Sequence, residues 1–167
     1  MGVKLELLSK NLVLIIDKLI KDEKVSKLIY YNTNDIFSRP DISPSIIAPL
    51  GETERVLPYP FDTSFTNDER TQIHVYFPDL DFVNAENAES TVVFFDIVTH
   101  RNLWLFSEFG EKLIRPYEIA SSISRLFDGS LPNTKSTVGK LNFLSLKQVH
   151  VNEEFSCVRL VATMTTY

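Results

Sequence analysis

Three histidines and one cysteine are the side chains best suited to metal binding or nucleophilic chemistry. His74, His100 and His150 lie 26 and 50 residues apart, and these spacings match no short metal-ligand motif. Cys157 could pair with His150 if the last two strands form a hairpin, because a reactive thiolate needs a neighbouring base. A cysteine on a hairpin strand is more often a small packing residue. We therefore predict no catalytic residue and no metal ligand, with a small enzyme or metal binder as an alternative.

Two sequence features, an acidic pair and the glycine content, indicate whether the chain could bind a metal ion or a phosphate cofactor. Asp79 and Asp81, in the run FPDLDF, resemble half of a calcium loop but lack its glycine and closing glutamate. The run is typical of a turn whose side chains cap backbone groups. The sequence contains no glycine-rich phosphate loop and no Gly-x-Ser-x-Gly motif. We expect no cofactor and a protein that is not an enzyme.

Composition restricts the class of protein further. The 167 residues are 44% hydrophobic and 23% charged, which is typical of one globular domain spanning 1–167. Lys and Arg total 17 against 22 Asp and Glu, a net charge of −5, so specific nucleic-acid binding is not expected. Charged residues interrupt the apolar start of the chain, which predicts a soluble protein made in a cytoplasm, with no membrane partner. The single cysteine fits a reducing compartment.

Apolar periodicity predicts the helices. A long amphipathic helix is expected over residues 5–20, a short one over 24–31, and a third at 115–127 with a single apolar side. Pro116 suits the first turn of the third helix, and Gly129 suits the position after its end. Leu7 and Leu14 fall on the polar side of the first helix. They are either covered by a loop or form a second apolar stripe that contacts another subunit.

Alternation predicts strands at 71–77, 90–99, 138–151 and 155–165, with a short one at 103–106. The strand at 71–77 is expected to be half-buried, because its apolar side chains alternate with Gln72, His74 and Tyr76. The strand at 90–99 is apolar on both faces, so it is central or lies against a partner. Broken alternation predicts a bulge in 138–151. The order indicates an α+β fold: a mostly antiparallel sheet, an N-terminal amphipathic helix and a second helix packed on one face.

A long proline-rich loop, residues 38–69, separates the first helices from the strands. Five of the eight prolines lie between residues 39 and 61, so no regular element is expected there. The same stretch is apolar, unlike a flexible linker. It is either a loop packed on its own domain or an arm that packs on a partner.

The stretch from Asp96 to Ser124 carries a resemblance. A strand ending in Asp96-Ile97-Val98 is followed by His100, by Trp104 and by Arg115–Ala120 at the start of a helix. This pattern resembles the neck proteins of tailed bacteriophages: the tail terminators, or tail-completion proteins, and the head–tail connectors. The amphipathic first helix, the segment Leu28–Thr33, the proline-rich loop and Leu141–Phe143 in a closing hairpin are similar to that family as well.

The resemblance implies a small α+β domain in a homo-oligomeric ring, typically hexameric for tail terminators. Such a ring caps the tail tube and joins it to the neck and head, while DNA only passes through its lumen. The implied location is the tail or neck of the virion, assembled in the host cytoplasm. The role is structural, so no active-site residue carries over. The alternatives are a connector ring, often twelve-fold, and a non-catalytic protein-binding domain.

A closed ring needs two different patches on each subunit, because its contacts are heterologous. We expect one patch on the arm from Ile42 to Phe65 and the other on Leu7, Leu14 or the Val92/Phe94 strand face. The candidate interface residues are Leu7, Leu14, Ile42, Ile46, Ile47, Leu50, Val56, Leu57, Tyr59, Phe61, Phe65, Val92 and Phe94. An acidic lumen would repel DNA phosphates, and the candidates for it are Glu52, Glu54, Glu153 and Glu154.

Overall fold

A computed structural model describes residues 5–63, 68–80, 90–128 and 141–165 of the chain. The helices are α1 (Leu5–Lys21), α2 (Glu23–Tyr30), α3 (Pro44–Ile47) and α4 (Arg115–Phe127), with 3-10 turns at Ile36–Ser38 and Arg101–Leu103. The strands are β1 (Val56–Leu57), β2 (Thr71–Tyr76), β3 (Ser90–His100), β4 (Leu105–Glu108), β5 (Glu111–Ile114), β6 (Leu141–His150) and β7 (Phe155–Thr165). None of the helices in these ranges is long and apolar enough to cross a membrane.

Five of the strands form one sheet in the order β1-β2-β3-β7-β6. Every pairing in it is antiparallel except that of β1 with β2. The strand at 90–100 is central, as its two apolar faces predicted. The expected bulge is confirmed, because the β6–β7 register shifts between Phe143 and Ser145. The α+β fold with a mostly antiparallel sheet is confirmed as well.

The main hydrophobic core lies between the helices and one face of the sheet. Ile73, Val75, Val93, Phe95 and Ile97 contribute from the strands, and buried residues of α1, α2 and α4 cover them. The predicted first helix is confirmed, and two residues depart from its expected buried side. Leu5 is 51% exposed and Asn11 is buried, while Leu14 packs partly against the core. The expected side is otherwise the buried one, since Leu8, Ile15, Ile16, Leu19 and Ile20 are all in the core.

The arm is more ordered than its prolines predicted. The expectation of no regular element between residues 39 and 61 is wrong, because α3 and β1 both lie there. Pro44 stands in the first turn of α3, where its missing N–H costs nothing. The Ile73 amide donates to the Arg55 carbonyl at 2.8 Å, which extends the pairing of β1 with β2. The arm is thus joined to the sheet edge by backbone hydrogen bonds.

A second, two-stranded sheet follows the central strand. The short strand expected at 103–106 is instead a 3-10 turn at Arg101–Leu103 followed by β4. Strand β4 pairs with β5 and not with the main sheet. The amide of Asp35 donates to the Ser107 carbonyl at 2.9 Å, and the Ser107 amide donates to Asn34 Oδ1 at 2.8 Å. These bonds fix the β4–β5 hairpin to the segment after α2.

One buried arginine ties the helices together. Arg115 is 1% exposed. Its Nη1 donates to the carbonyls of Leu28 at 2.6 Å and Tyr31 at 2.9 Å, and its Nε donates to the carbonyl of Leu103 at 2.8 Å. It thereby satisfies carbonyls at the end of α2 that the helix leaves unpaired. Burial lowers the pKa of Arg115 to about 10.

Candidate interaction surfaces

The face of the sheet opposite the helices is divided into two parts. Side chains of β2, β3 and β7 that alternate with the core residues lie on this face. We call its uncovered part, Tyr76, Val92, Phe94, Asp96 and Arg159, the open sheet face. Within it, Val92 is 37% exposed and Phe94 is half-buried.

A charged pair lies at the centre of the open sheet face. Arg159 Nε donates to Asp96 Oδ1 at 2.7 Å, and an Nη donates to Oδ2 at 2.9 Å. The Tyr76 hydroxyl also donates to Asp96 Oδ2, at 2.7 Å. The guanidinium lies 4.3 Å from the centre of the Phe94 ring. Burial and the bond to Asp96 raise the pKa of Tyr76, and the bond to Asp96 raises that of Arg159.

The arm covers the other part of this face, so the strand at 71–77 is not half-buried as predicted. Gln72 and His74 are buried. His74 Nδ1 lies 2.6 Å from the carbonyl oxygen of Tyr59, and the Phe61 ring meets the imidazole edge to face at 5.5 Å. Alternation alone could not indicate this burial, because the covering residues come from a different segment.

A cavity of about 530 Å³ lies between the arm and β2. We call it the arm pocket; it is lined by Glu54, Leu57, Tyr59, Pro60, Phe61, Asp62, Arg70, Gln72 and His74. Its wall is mixed, with Leu57, Tyr59, Pro60 and Phe61 beside the polar and charged residues. Arg70 is paired with Asp68 at 2.9 Å and keeps a buried Nε without a hydrogen-bond partner among the described residues.

His150 and Cys157 do not meet as the pair considered for nucleophilic chemistry. Val149, and not His150, stands opposite Cys157, so His150 and Cys157 project from opposite faces of the hairpin. Burial raises the pKa of Cys157 to about 12, with a further contribution from Asp96. Burial also lowers the pKa of His74. His100 accepts from the Asn102 amide at 3.2 Å.

The acidic pair near residue 80 does not assemble a calcium site in the part of the chain that is described. Asp79 is exposed, and Asp81 lies outside the described residues. Across the described ranges, no group of three His, Cys, Asp or Glu side chains is placed to hold a metal ion.

The candidate interface residues that the structure describes fall into three groups by exposure. Ile47, Val56 and Leu57 are at most 5% exposed, so they belong to the protomer's own interior and offer no surface to a partner. Leu7, Leu14, Ile42, Ile46, Phe61 and Phe94 are half-buried, while Leu50, Tyr59 and Val92 are exposed. Phe65 lies outside the described residues. The assignment of the exposed members to an interface stays a prediction.

The acidic candidates occupy two regions. Glu52 and Glu54 are in the arm, and Glu54 Oε1 accepts from the Leu50 amide at 3.1 Å. Glu153 and Glu154 are exposed in the turn between β6 and β7. Whether these acids face a lumen stays a prediction.

Two exposed apolar side chains stand on strained backbone. Leu50 has a φ of 61° and is 96% exposed, and Phe109 has a φ of 49° and is 83% exposed. Bulky side chains rarely adopt this left-handed conformation. Phe109 was missed in the sequence, although Gly110 after it is a turn signal between two short apolar runs. Asp96–Arg159 was missed as well, because a pairing across strands has no local signature.

These features define a class: an α+β domain that presents apolar side chains on several separate surfaces. A family model described as YomW matches residues 22–164. The match covers most of the chain, so the chain belongs to the YomW family, which is derived from phages of the SPbeta prophage type. No curated protein and no solved structure is significantly similar to the chain.

Proposed function

We propose that this protein is a structural component of a phage particle. In this proposal it is the tail terminator, a homo-oligomeric ring that caps the tail tube and joins it to the neck. Membership of a phage-derived family supports a phage role. The resemblance of residues 96–124 to neck proteins supports the more specific role. No catalytic step is part of the proposal.

The observation that carries the self-assembly is the conformation of Leu50. This side chain is 96% exposed in the arm, on backbone that leucine avoids. Gly51 fixes the turn, since a Cβ there would lie 2.4 Å from the Ser45 carbonyl oxygen. Strain at an exposed apolar residue is typical of sites held for a contact. The arm is therefore one patch of the proposed ring interface.

A ring needs a second patch that differs from the first. The sequence candidates for it are Leu7, Leu14 and the open sheet face, where Val92 and Phe94 lie beside the Asp96–Arg159 pair. Aromatic side chains and arginine are enriched at the centres of interfaces. Acidic groups in the arm and in the β6–β7 turn would face the lumen and let DNA pass without binding.

The test is the mass of the purified protein, measured by light scattering over a range of concentrations and salt. A hexamer supports a terminator ring, and a twelve-fold species indicates a connector instead. Leu50→Asp is expected to reduce assembly while the monomer stays folded. Val13→Asp is the matched control, because Val13 is 62% exposed on α1 and no role is proposed for it.

Deletion of the arm is a poor variant, because the arm supplies Ile47 and Val56 to the core. Point substitution of Leu50 avoids this difficulty. A wild-type protein that stays monomeric, and that does not copurify with phage particles, would contradict the proposed function. Equal assembly of Leu50→Asp and wild type would remove the arm from the interface.

A further inference from the structure

Two arginines near the β1 edge of the sheet carry N–H groups that the fold leaves unused. Six buried side-chain nitrogen or oxygen atoms lack a hydrogen-bond partner among the described residues, and three of the six are Nε and Nη1 of Arg55 and Nε of Arg70. A buried donor without a partner is costly, and more so when it carries charge. In a native fold such a donor indicates that a water molecule or an ion binds there.

Backbone hydrogen bonds bring the two arginines close together. The Arg55 amide donates to the Ile47 carbonyl at 2.9 Å, and the Ile73 amide donates to the Arg55 carbonyl at 2.8 Å. Arg70 immediately precedes β2, the strand that contains Ile73. Burial lowers the pKa of Arg55 to about 10, and repulsion from the charge of Arg70 adds to this shift. The two guanidinium groups therefore lie within electrostatic range of each other.

Neighbouring acids leave this pair of charges incompletely neutralised. Arg55 takes part in none of the ion pairs among the described residues. An Nη of Arg70 is paired with Asp68, whose side chain is 78% exposed, and an ion pair so open to water contributes little. Glu54 and Glu69 accept hydrogen bonds from other residues.

We propose that Arg55 and Arg70 together bind a small oxyanion with two negative charges, inorganic phosphate being the simplest example. The anion accepts from the unpartnered N–H groups of both residues and balances their two charges. The site is independent of the proposed ring, because it uses neither Leu50 nor the open sheet face.

The chemistry of two guanidinium groups favours a tetrahedral dianion. Arginine recognises phosphate and carboxylate through charge-assisted hydrogen bonds from its planar set of N–H groups. A carboxylate carries one charge, so it would leave the charge of the second arginine unbalanced. A phosphate has oxygens in several directions and can accept from both residues at once.

Two neutral groups without partners show why charge matters here. The hydroxyls of Thr71 and Thr99 are buried and also lack hydrogen-bond partners among the described residues. The two residues stand opposite each other in the β2–β3 ladder, so one buried water could satisfy both hydroxyls. Water can likewise accept from a guanidinium, but it adds no negative charge. The arginine pair therefore calls for an anion, while the threonine pair does not.

The surroundings suit a small free anion better than a nucleic acid. Arg70 lines the arm pocket, whose volume is about 530 Å³, and 24% of its side chain is exposed. A nucleic acid would bring many phosphates past a chain whose net charge is −5, which opposes its binding.

Binding of the anion would fasten the arm to the sheet. Arg55 belongs to the arm and Arg70 lies at the start of β2, so a shared ligand adds a link beside the two-residue strand β1. A ligand that binds only the folded state stabilises it. Phosphate should therefore raise the melting temperature and slow hydrogen exchange at the Ile73 amide.

The direct test is the melting temperature of the full chain at pH 7.5, in a buffer free of phosphate and sulfate, as sodium phosphate is added. Sodium chloride at the same ionic strength corrects for screening, and calorimetric titration gives the dissociation constant. At ten times that constant, phosphate should raise the melting temperature by about 3–5 °C beyond chloride. Sulfate should act as phosphate does, and acetate should not.

Substitution of the arginines separates binding from folding. Arg55→Met keeps the apolar part of the side chain and removes an unneutralised charge, so without phosphate its melting temperature should equal or exceed that of wild type. Its dissociation constant for phosphate should increase at least tenfold, and that of Arg70→Gln should increase similarly. Arg125→Met is the matched control, because Arg125 is exposed on α4, and it should bind phosphate as wild type does.

Several results would overturn the inference. If phosphate has no effect beyond that of chloride, water satisfies the two arginines. If Arg55→Met or Arg70→Gln binds phosphate as wild type does, phosphate binds elsewhere on the chain. If Arg55→Met lowers the melting temperature without phosphate, Arg55 is needed for folding, and the phosphate affinity of Arg70→Gln then decides.

Two competitors identify a different ligand. Equal stabilisation by acetate would replace the dianion with a carboxylate, and displacement of phosphate by a single-stranded oligonucleotide would replace it with a nucleic acid; either result overturns the assignment. None of these measurements depends on ring formation, so the inference and the proposed function can fail separately.

Discussion

The Asp96–Arg159 pair allows a sharp prediction because its partners are unequally buried. The side chain of Asp96 is 6% exposed and that of Arg159 is 25% exposed. Removing one partner of a buried pair costs about 3–5 kcal/mol when the remaining charge stays buried. Arg159→Met leaves the buried carboxylate with uncharged partners such as the Tyr76 hydroxyl, so we expect a cost of about 3–5 kcal/mol. Asp96→Asn leaves a guanidinium that can reach water, so we expect about 1–2 kcal/mol.

The measurement is urea unfolding at pH 7 of both single variants and of the double variant Asp96→Asn/Arg159→Met. The double variant should cost less than the sum of the single variants, because the two residues interact directly. Tyr76→Phe is a useful control, since it removes one neutral hydrogen bond for about 1 kcal/mol. The order of the two single variants is the decisive result. If Asp96→Asn costs as much unfolding free energy as Arg159→Met, the unequal burial of the two side chains does not determine the cost of removing each one. The reasoning is then refuted.

Three further predictions follow from buried groups. Arg115→Met leaves three carbonyls without their donors, so we expect a loss of about 2–4 kcal/mol in urea unfolding, and Arg115→Lys should recover only part of it. The pKa of Cys157, raised by burial to about 12, predicts no alkylation by iodoacetamide at pH 8 until urea unfolds the chain; rapid labelling of the native protein would disprove it. Burial lowers the pKa of His74 from 6.5, so the unfolded state takes up the proton first as pH falls below about 6.5; the melting temperature should decrease from pH 7.5 to 5.5, less so in His74→Gln.

Periodic elements were predictable from the sequence, and contact-dependent elements were not. The helix at 115–127 matched its predicted bounds, because apolar spacing and Pro116 are local signals. Strand β1 has two residues and exists through its pairing with β2, so no local pattern could reveal it. The β4–β5 hairpin was missed because each strand has four residues and its turn lacks the usual Asn or Asp.

The candidate site was predictable only in part. The apolar arm and Leu50 were singled out because proline density and apolar content are visible in the sequence, and their role in an interface stays a prediction. The sequence could not separate Leu50 from Val56, since both are apolar residues of one loop, yet one is 96% exposed and the other fully buried. Phe109 is distinguished by its left-handed backbone conformation, and that conformation cannot be inferred from the residue type.

The two-residue strand β1 also determines how readily the arm detaches from the sheet. The arm joins the sheet through a short parallel pairing at its edge, and such edges open more readily than central strands. An opening there would release the Ile73 amide from Arg55 and uncover His74. Hydrogen exchange at Ile73 therefore reports the lifetime of the closed arm separately from the lifetime of the whole fold.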